Sequence, residues 1–244
     1  MGLLGKVALI TGGATRIGRA ITLALAQAGC HVFIHYGLSA EQARQTQADA
    51  KVLGVNANLF AADLADAEAV QEIVPSAREA FGGIDILINN AGIFPDADSF
   101  TGTDYSLWDK LFAVNLRAPF LLCRAFAAQV PKDGQGKIIN ITDSRVRRPA
   151  SDHFVYRLTK GCLWQMTEML ALELAPRIAV NAVALGAILP PPGKDSEYLK
   201  KIALAHVPLK RHGSAQIAAE GVLHLLQQDF LTGVILPIDG GATL

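Results

Sequence analysis

The sequence of 244 residues has little of what defines disulfide-rich proteins and metal proteins. Its three cysteines, Cys30, Cys123 and Cys162, lack a CxxC spacing, so neither a disulfide framework nor a thiolate metal site is expected. All three lie in apolar segments and are predicted to be buried thiols in a reducing compartment. His31 and His35 are too far apart on their strand to share one metal ion, and no other cluster suggests one. We therefore expect no metal.

The chain also lacks an excess of charge of either sign. Lysine plus arginine equals aspartate plus glutamate at 22 each, so no global charge attracts nucleic acid or acidic lipid. No apolar run reaches the roughly 18 residues that a membrane span needs. The short apolar run near the N-terminus continues into a glycine turn, which indicates a first strand rather than a signal peptide. A cytoplasmic protein without nucleic-acid or membrane partners is expected.

What the chain does have is a regular alternation of two kinds of apolar segment, in a composition that is 51% hydrophobic. Short β-rich runs are predicted to be strands: Val7–Thr11, His31–His35, Asn58–Ala61, Ile84–Asn89, Lys137–Thr142, Ala179–Ala184 and Val234–Ile238. Stretches of helical period lie between them: Ile17–Ala28, Ala40–Leu53, Ala67–Phe81, Leu107–Val130, His153–Leu174 and Ala215–Gln227. This alternation predicts a single α/β domain over residues 1–244, a doubly wound (Rossmann) sheet of seven parallel strands with helices on both faces.

A glycine-rich stretch, TGGATRIG, directly follows the first predicted strand. Gly12 before the turn and Gly18 at a helix start are typical of a loop that holds a pyrophosphate on a helix N-terminus. Arg16 is unexpected there, because a cation opposes the helix dipole at a cost of roughly 0.3–1 kcal/mol. Either its side chain points into solvent, or an anion or an acceptor-rich ring lies beside it.

The residues at the end of the second strand help to predict whether the cofactor is NAD or NADP. Sheets that bind NAD usually carry a carboxylate there for the ribose hydroxyls, but this chain has no acid before Glu41. His35, Ser39 and Arg16 could instead hold a 2′-phosphate, which favours NADP(H). Alternatively, His35 only ends the strand and Ser39 only caps the next helix.

After the sixth strand, the irregular stretch Gly186–Ser196 is predicted to be a substrate lid.

Tyr156 and Lys160 are four residues apart and therefore project from one face of a predicted helix. A nearby ammonium is expected to lower the pKa of the tyrosine and suit it to proton exchange near neutral pH. An ordinary amphipathic surface is the alternative interpretation of this spacing.

Together, these motifs resemble the short-chain dehydrogenase/reductase family along the whole chain. The resemblance rests on the glycine turn, the Tyr156/Lys160 pair and four further motifs: Asp63-Leu64, Asn89-Asn90-Ala91-Gly92, Asn115 and Asp239-Gly240-Gly241. It implies that Tyr156 donates a proton, that Lys160 also holds the nicotinamide ribose and that Asn115 supports a water relay. It also implies a homotetramer in which the long fourth and fifth predicted helices pack across an interface.

One branch of the family, the pteridine and dihydromonapterin reductases, is similar in finer detail. That branch typically has arginine at the position of Arg16, a segment like His35 to Ser39, and aspartate in place of the catalytic serine. Asp143 lies thirteen positions before Tyr156, where that aspartate is expected; Ser144 as the ordinary family serine is the alternative. Phe94 matches the position whose ring stacks a pterin, and Leu38 replaces a residue that is often basic in the branch.

The expected function is therefore NADPH-dependent reduction of a small-molecule substrate, a pterin or a folate. A short-chain carbonyl reductase acting on a 3-oxoacyl thioester or a sugar ketone is the alternative, and a non-catalytic NADP(H) sensor is a further one. The expected catalytic residues are Asn115, Asp143, Tyr156 and Lys160, and the expected substrate contacts are Arg16, Phe94, Asp143 and Tyr156. The expected cofactor contacts are Gly12, Arg16, Ile17, Gly18, His35, Tyr36, Ser39, Asp63, Leu64, Asn90, Ala91, Gly92, Tyr156, Lys160 and Gly186. We interpret the basic run of Arg145, Arg147 and Arg148 as a solvated surface; attraction of an anionic substrate tail, such as the glutamate of a folate, is the alternative.

Overall fold

The computed structural model describes residues 2–244 and contains a seven-stranded sheet with the order β3-β2-β1-β4-β5-β6-β7. Every neighbouring pair of strands is parallel. The strands are β1 Val7–Ile10, β2 His31–Tyr36, β3 Ala57–Ala61, β4 Ile86–Asn89, β5 Gly136–Asp143, β6 Ile178–Leu185 and β7 Ile235–Ile238. The predicted doubly wound sheet is confirmed, with each strand within two residues of its expected bounds.

Eight α-helices connect the strands of the described chain. They are α1 Arg16–Gln27, α2 Ala40–Val52, α3 Ala67–Phe81, α4 Tyr105–Phe112, α5 Ala118–Gln129, α6 Phe154–Leu174, α7 Ser196–His206 and α8 Ala215–Gln227. A π-helical turn, Ala113–Arg117, joins α4 to α5, and a 3₁₀ turn, Ser144–Arg147, follows β5.

The sheet is buried on both faces, which explains why its strands are continuous apolar runs rather than alternating ones. Successive side chains of a strand point to opposite faces. Ile10 of β1 therefore packs with α1, α2 and α8, whereas its neighbour Leu9 packs with α3, α5 and α6. Helices on both faces leave the edge formed by the carboxyl ends of the strands for ligands.

The strand order reverses between β1 and β4, because the chain leaves β1 toward β2 and leaves β4 toward β5. At such a switch point the two following loops diverge and open a crevice outside the carboxyl ends of the strands. Three of the expected site motifs lie there: the glycine turn after β1, residues 90–92 after β4, and Asp143 at the end of β5. The strand order alone therefore locates the candidate site in this crevice.

Two helical segments differ from the sequence-based expectation. The stretch expected as one helix, Leu107–Val130, is interrupted by the π-helical turn 113–117. Helix α7 was not expected; it begins after Asp195, whose carboxylate accepts the N–H of Tyr198 at 2.9 Å. The capping aspartate is visible in the sequence. The preceding prolines, however, led to a predicted irregular loop that ends at Ser196, which is the first residue of the helix.

One expectation about burial needs correction. Cys162 is exposed, unlike Cys30 and Cys123, because it lies on the outer side of α6. The continuous helical stretch Tyr105–Gln129 is long and apolar enough to cross a membrane by length and composition, although no single apolar run is. Half of its most apolar window is buried inside the protein, and Phe126 within it is fully buried against the sheet. It therefore packs as a core helix.

Candidate functional site

The glycine turn after β1 leaves no room for side chains at two positions. A Cβ atom on Gly18 would lie 1.9 Å from the carbonyl oxygen of Gly12, and Gly12 itself has a φ of +60°. Helix α1 thus starts directly against the turn. In the described chain, the side chain of Thr15 makes no capping hydrogen bond to this helix, so its first N–H groups are free of a side-chain cap. Ile17, in the first turn of α1, is partly buried.

Arg16 connects the glycine turn to the loop after β6. Its Nη2 donates to the carbonyl oxygen of Pro190 at 2.6 Å, and its φ of +52° places its backbone in the left-handed region. An L side chain adopts that region only at a cost, so the surroundings must hold it there. The predicted lid, Gly186–Ser196, therefore lies next to the turn that is expected to hold a pyrophosphate.

His35 has a different position from the predicted phosphate contact. Its Nδ1 accepts the N–H of Gly12 at 3.2 Å and its Nε2 donates to the carbonyl oxygen of Ala62 at 3.0 Å. Burial lowers the pKa of the ring, which agrees with this neutral tautomer. Both ring nitrogens are used inside the protein, so His35 supports the glycine turn. Tyr36 ends β2, and Ser39 precedes α2 without a side-chain capping bond within residues 2–244.

The segment after β4 is held against the same turn. Thr11 Oγ1 accepts the N–H groups of Asn90 and Ala91, and Asn90 Nδ2 donates to the carbonyl oxygen of Thr11 at 2.9 Å. A Cβ atom on Gly92 would lie 3.2 Å from Lys160 Nζ. These contacts bring the glycine turn, residues 90–92 and helix α6 to one point.

Asn115 lies on the π-helical turn and is fully buried. Its Oδ1 accepts the N–H of Ile93 at 2.8 Å, while its Nδ2 donates to the carbonyl oxygen of Ile93 at 3.0 Å and to Thr159 Oγ1 at 3.2 Å. Such turns often occur at functional sites because they rotate one residue off the regular helical face. Here the rotated amide joins the segment after β4 to α6.

The hydroxyl of Tyr156 donates to Asp143 Oδ2 at 3.1 Å. Ser144, the alternative partner, is fully buried, and its hydroxyl makes no hydrogen bond to any described residue. Burial and the Asp143 carboxylate raise the pKa of Tyr156 well above its usual value. The expectation of a lowered tyrosine pKa is therefore wrong for this arrangement, because burial and the adjacent carboxylate both disfavour the phenolate.

Lys160 is buried one turn further along α6. Its Nζ donates to the carbonyl oxygen of Ile141 at 2.9 Å instead of contacting the phenol. Burial lowers the pKa of its ammonium to about 8. The cation thus lies between strand β5 and the segment that contains Gly92, where its remaining donors can face a bound group.

A ring cluster covers the tyrosine. The Phe94 ring lies 4.4 Å from the His153 ring and 4.9 Å from the Tyr156 ring, as measured between ring centroids. The Arg145 guanidinium lies 5.2 Å from the Phe94 centroid and binds Asp143 through both Nη2 and Nε. Arg145 is therefore part of the site, and the interpretation of the whole basic run as a solvated surface is wrong for this member.

This geometry can be compared with known proteins. A family model described as Enoyl-(Acyl carrier protein) reductase matches residues 12–243. "Uncharacterized oxidoreductase YohF" of Escherichia coli K12 is 35% identical over 99% of this chain and 97% of its own length. "Granaticin polyketide synthase putative ketoacyl reductase 2" of Streptomyces violaceoruber is 31% identical over 98% of this chain and 96% of its own.

A solved structure is similar over the full fold. FolM alternative dihydrofolate reductase 1 from Brucella canis, complexed with NADP, has a TM-score of 0.92 and 34% identity over 100% of this chain and 96% of its own. The chain belongs to the short-chain dehydrogenase/reductase family. The fold class expected from the sequence and the family are both confirmed, and the family consists of oxidoreductases that act on small molecules.

In this short-chain dehydrogenase/reductase, the start of α6 is fixed from another part of the chain. The buried carboxylate of Asp98, in the loop after β4, accepts the N–H of Val155 at 2.6 Å and of Tyr156 at 3.4 Å. His153, at the N-cap position, has a φ of +48°, and its side chain makes no capping bond within the described residues. Asp98 and His153 are site residues that the sequence analysis missed, because their roles depend on contacts between distant segments.

The remaining expected cofactor residues lie around the same crevice. Asp63 is exposed at the end of β3 and accepts the N–H of Ala65, while the adjacent Leu64 is buried. Gly186 follows β6, where a Cβ atom would lie 2.6 Å from the Cβ of Asp239. Thus Gly186 lets the lid segment start close against the end of β7.

A separate cavity of this family member lies away from the crevice. It is a groove of about 1020 Å³ on the outer side of α4, α5 and α6, lined by apolar side chains that include Phe112, Phe120, Met166 and Met169. Neither Asp143 nor Tyr156 lines it. The chemistry therefore belongs to the crevice, and the groove is a separate feature of the surface.

Proposed function

We propose that the protein is an NADPH-dependent reductase of pterins or folates that converts a dihydro form to the tetrahydro form. The observation that carries this proposal is the hydrogen bond from Tyr156 to Asp143, since an aspartate is the partner of the tyrosine in the pteridine reductase branch that the sequence resembles. The similarity to the dihydrofolate reductase from Brucella canis supports the same substrate class.

The residues around the crevice fit a dinucleotide. The uncapped start of α1 and the close approach of Gly12 and Gly18 suit a pyrophosphate, and the absence of an acid at the end of β2 suits a 2′-phosphate beside Ser39 and Arg16. The family resemblance assigns Lys160 to the nicotinamide ribose and residues 90–92 to the cofactor, and the closeness of Lys160 Nζ to Gly92 supports that assignment. NADPH would supply the hydride. We expect a lower dissociation constant for NADPH than for NADH at matched ionic strength; equal values would contradict this assignment.

The side chains can supply the accompanying proton. Reduction of the C=N bond of a 7,8-dihydropterin needs a hydride on carbon and a proton on nitrogen. The raised pKa of Tyr156 keeps its hydroxyl protonated at neutral pH, as a proton donor requires. Asp143 accepts the hydrogen bond from this hydroxyl and links it to the solvent side of the site. Phe94 provides an aromatic surface for a planar ring, and Arg16 a donor for its acceptor atoms.

A second candidate function is reduction of a carbonyl, because a putative ketoacyl reductase of Streptomyces violaceoruber is 31% identical over nearly the whole chain. Tyr156 would then protonate an oxygen instead of a nitrogen. NADPH oxidation should be measured with dihydropterins, dihydrofolate, an acetoacetyl thioester and a sugar ketone. We expect the pterins and dihydrofolate to give the highest kcat/KM. A higher value for the thioester or the sugar would support the carbonyl reductase, and no turnover with any of them would indicate a sensor.

We also propose that the protein is a cytoplasmic homotetramer. The apolar groove between α4–α5 and α6 supports this, and Met169 on its wall is 61% exposed in the single chain. A groove of this kind is expected to be covered by a second copy. Light scattering at micromolar concentration should give a tetramer mass, and Met169→Glu should lower it. A monomer mass for the parent would contradict the proposal.

A further inference from the structure

Asp143 has a second partner besides Tyr156. The Arg145 guanidinium meets it side-on, with Nη2 2.8 Å from Oδ2 and Nε 3.1 Å from Oδ1. The backbone N–H of Arg145 also donates to Oδ1 at 2.8 Å. Paired donors of this kind fix the plane of a carboxylate as well as its charge. Oδ2 is therefore shared between the guanidinium and the hydroxyl of Tyr156.

Arg145 is itself held on three sides. Its guanidinium lies over the rings of Phe94 and Tyr156, at 5.2 and 5.8 Å from their centroids. Its carbonyl oxygen accepts Arg157 Nη1 at 2.7 Å, and Arg157 in turn binds Asp152 at 2.8 Å. Arg157 is part of α6, so the turn that contains Arg145 is attached to the same helix as the tyrosine.

We propose that Arg145 is a positioning residue of the reaction: its guanidinium holds Asp143 as an ionised, acceptor-only group oriented toward the hydroxyl of Tyr156. The mechanistic meaning of this step rests on the proposed function. A carboxylate can only accept, so the phenol must be the donor of this hydrogen bond. A protonated Asp143 could donate to the phenol oxygen and reverse the bond. Arg145 thus sets the direction in which the pair holds its proton.

The position of Asp143 makes this dependence strong. Its side chain is only 11% exposed, so water compensates little for a lost countercharge. The other charged or titratable groups that face Asp143 and Arg145 are Tyr156 and Lys160 from α6, and His153 at the N-cap of that helix. Asp98 lies behind His153, and Asp152 with Arg157 lies on the outer side of Arg145. Lys160 is unchanged in every Arg145 variant, so its electrostatic effect on the Asp143 carboxylate is the same in all of them.

The test uses the whole protein without substrate. Infrared difference spectra across pH report the carboxylic acid C=O band of Asp143, assigned by its loss in Asp143→Asn. We expect the midpoint of this band to lie at a higher pH in Arg145→Gln than in the parent, because an opposite charge nearby favours the ionised form of a carboxyl group. Arg145→Lys should restore most of the shift. Arg147→Ala is the matched control, since Arg147 is exposed on the same 3₁₀ turn and should leave the midpoint unchanged.

An unchanged midpoint in Arg145→Gln would overturn the proposal, even if activity fell, because a merely structural role predicts loss of activity without a change in titration. Arg145→Ala serves as a second uncharged variant if Arg145→Gln folds poorly. The acidic limb of the pH profile of kcat should move in the same direction as the infrared midpoint. Failure of the substrate panel would contradict the proposed function but would leave this titration as it is.

Discussion

Strand β5 has a buried lysine near each of its ends, and the two lysines do different things. Lys137, at the amino end, is 7% exposed and donates to the carbonyl oxygens of Leu226 at 2.7 Å and of Gln228, at the end of α8. Lys160, on α6 near the carboxyl end, is 5% exposed and donates to the carbonyl oxygen of Ile141. Burial lowers the pKa of both.

The difference lies in what surrounds each ammonium. Lys137 caps the carboxyl end of a helix, where a cation is stabilised by the helix dipole and by the last carbonyl groups. Lys160 is aimed at the crevice, beside Gly92 and near Asp143. Burial of a lysine therefore does not identify a functional group by itself. The amino edge of the sheet uses its cation for stability, and the carboxyl edge keeps its cation for a ligand.

The sharpest way to break this comparison is to change the acid at the carboxyl edge. Asp143→Ala should lower kcat on the order of 10²–10⁴-fold, because it removes a member of the proton-transfer pair. Ser144→Ala is the matched control and should change kcat little, since its hydroxyl contacts no polar partner in the described chain. Single-turnover oxidation of NADPH with a dihydropterin measures both. The reverse pattern would assign the proton to Ser144.

At the carboxyl edge of the sheet, some features could be predicted from the sequence and others could not. The strands and their parallel arrangement with helices on both faces were predictable, because strand burial and helical spacing are local patterns in the chain. The hydrogen bond between Tyr156 and Asp143 follows from a spacing that resembles a known branch. The roles of Asn115, Tyr156 and Lys160 in catalysis stay predictions.

Contacts that depend on tertiary structure were not predictable. Arg145 differs from Arg147 only by its position on a 3₁₀ turn, which rotates one guanidinium onto Asp143 and the other into solvent. Asp98 caps a helix that begins more than fifty residues later. The pKa of Tyr156 is raised, whereas a lowered value was expected, and this too depends on tertiary contacts. The i and i+4 spacing to Lys160 carries no information about burial of the phenol or about the carboxylate beside it.

At the amino edge, the comparison predicts a loss of stability without a loss of activity. Lys137→Met removes the donor for two carbonyl groups at the end of α8 and should lower the free energy of unfolding by about 1–3 kcal/mol. Lys132→Met, an exposed lysine in the loop before β5, is the control and should have little effect. Urea unfolding measures the first quantity and kcat the second. If Lys137→Met lowered kcat as much as Asp143→Ala does, the proposed difference in function between the two edges would be contradicted.

The pH dependence of stability sharpens the comparison at Lys160. Its pKa is lowered from 10.5 to about 8 in the folded protein. Between these values the unfolded chain binds more protons at this residue than the folded chain does. The free energy of unfolding should therefore rise with pH from about 8 upward, by up to about 1.4 kcal/mol per pH unit from this residue alone. Below pH 8 both states are protonated, and the cost of burying the charge is present in full.

Lys160→Met removes this contribution, so the measured quantity is the difference between parent and variant. The difference in urea midpoint should change as the pH is raised from about 7 to about 9, since other titrating groups act equally on both proteins. Lys137→Met provides the second arm of the measurement at the other edge. A parent-minus-variant difference that is independent of pH would mean that the ammonium of Lys160 is hydrated in the folded state.

The smallest expected effect concerns Leu38, which is fully exposed in the loop after the carboxyl end of β2. Leu38→Arg adds a cation next to the expected 2′-phosphate site and should lower the dissociation constant for NADPH by up to about fivefold, which corresponds to about 1 kcal/mol for an exposed ion pair. NADH lacks that phosphate, so its dissociation constant should stay the same. Leu38→Gln is the uncharged control. Because the pair is exposed, the gain should shrink as ionic strength rises. An equal gain for NADPH and NADH, or a gain that persists at high salt, would locate the 2′-phosphate away from this loop.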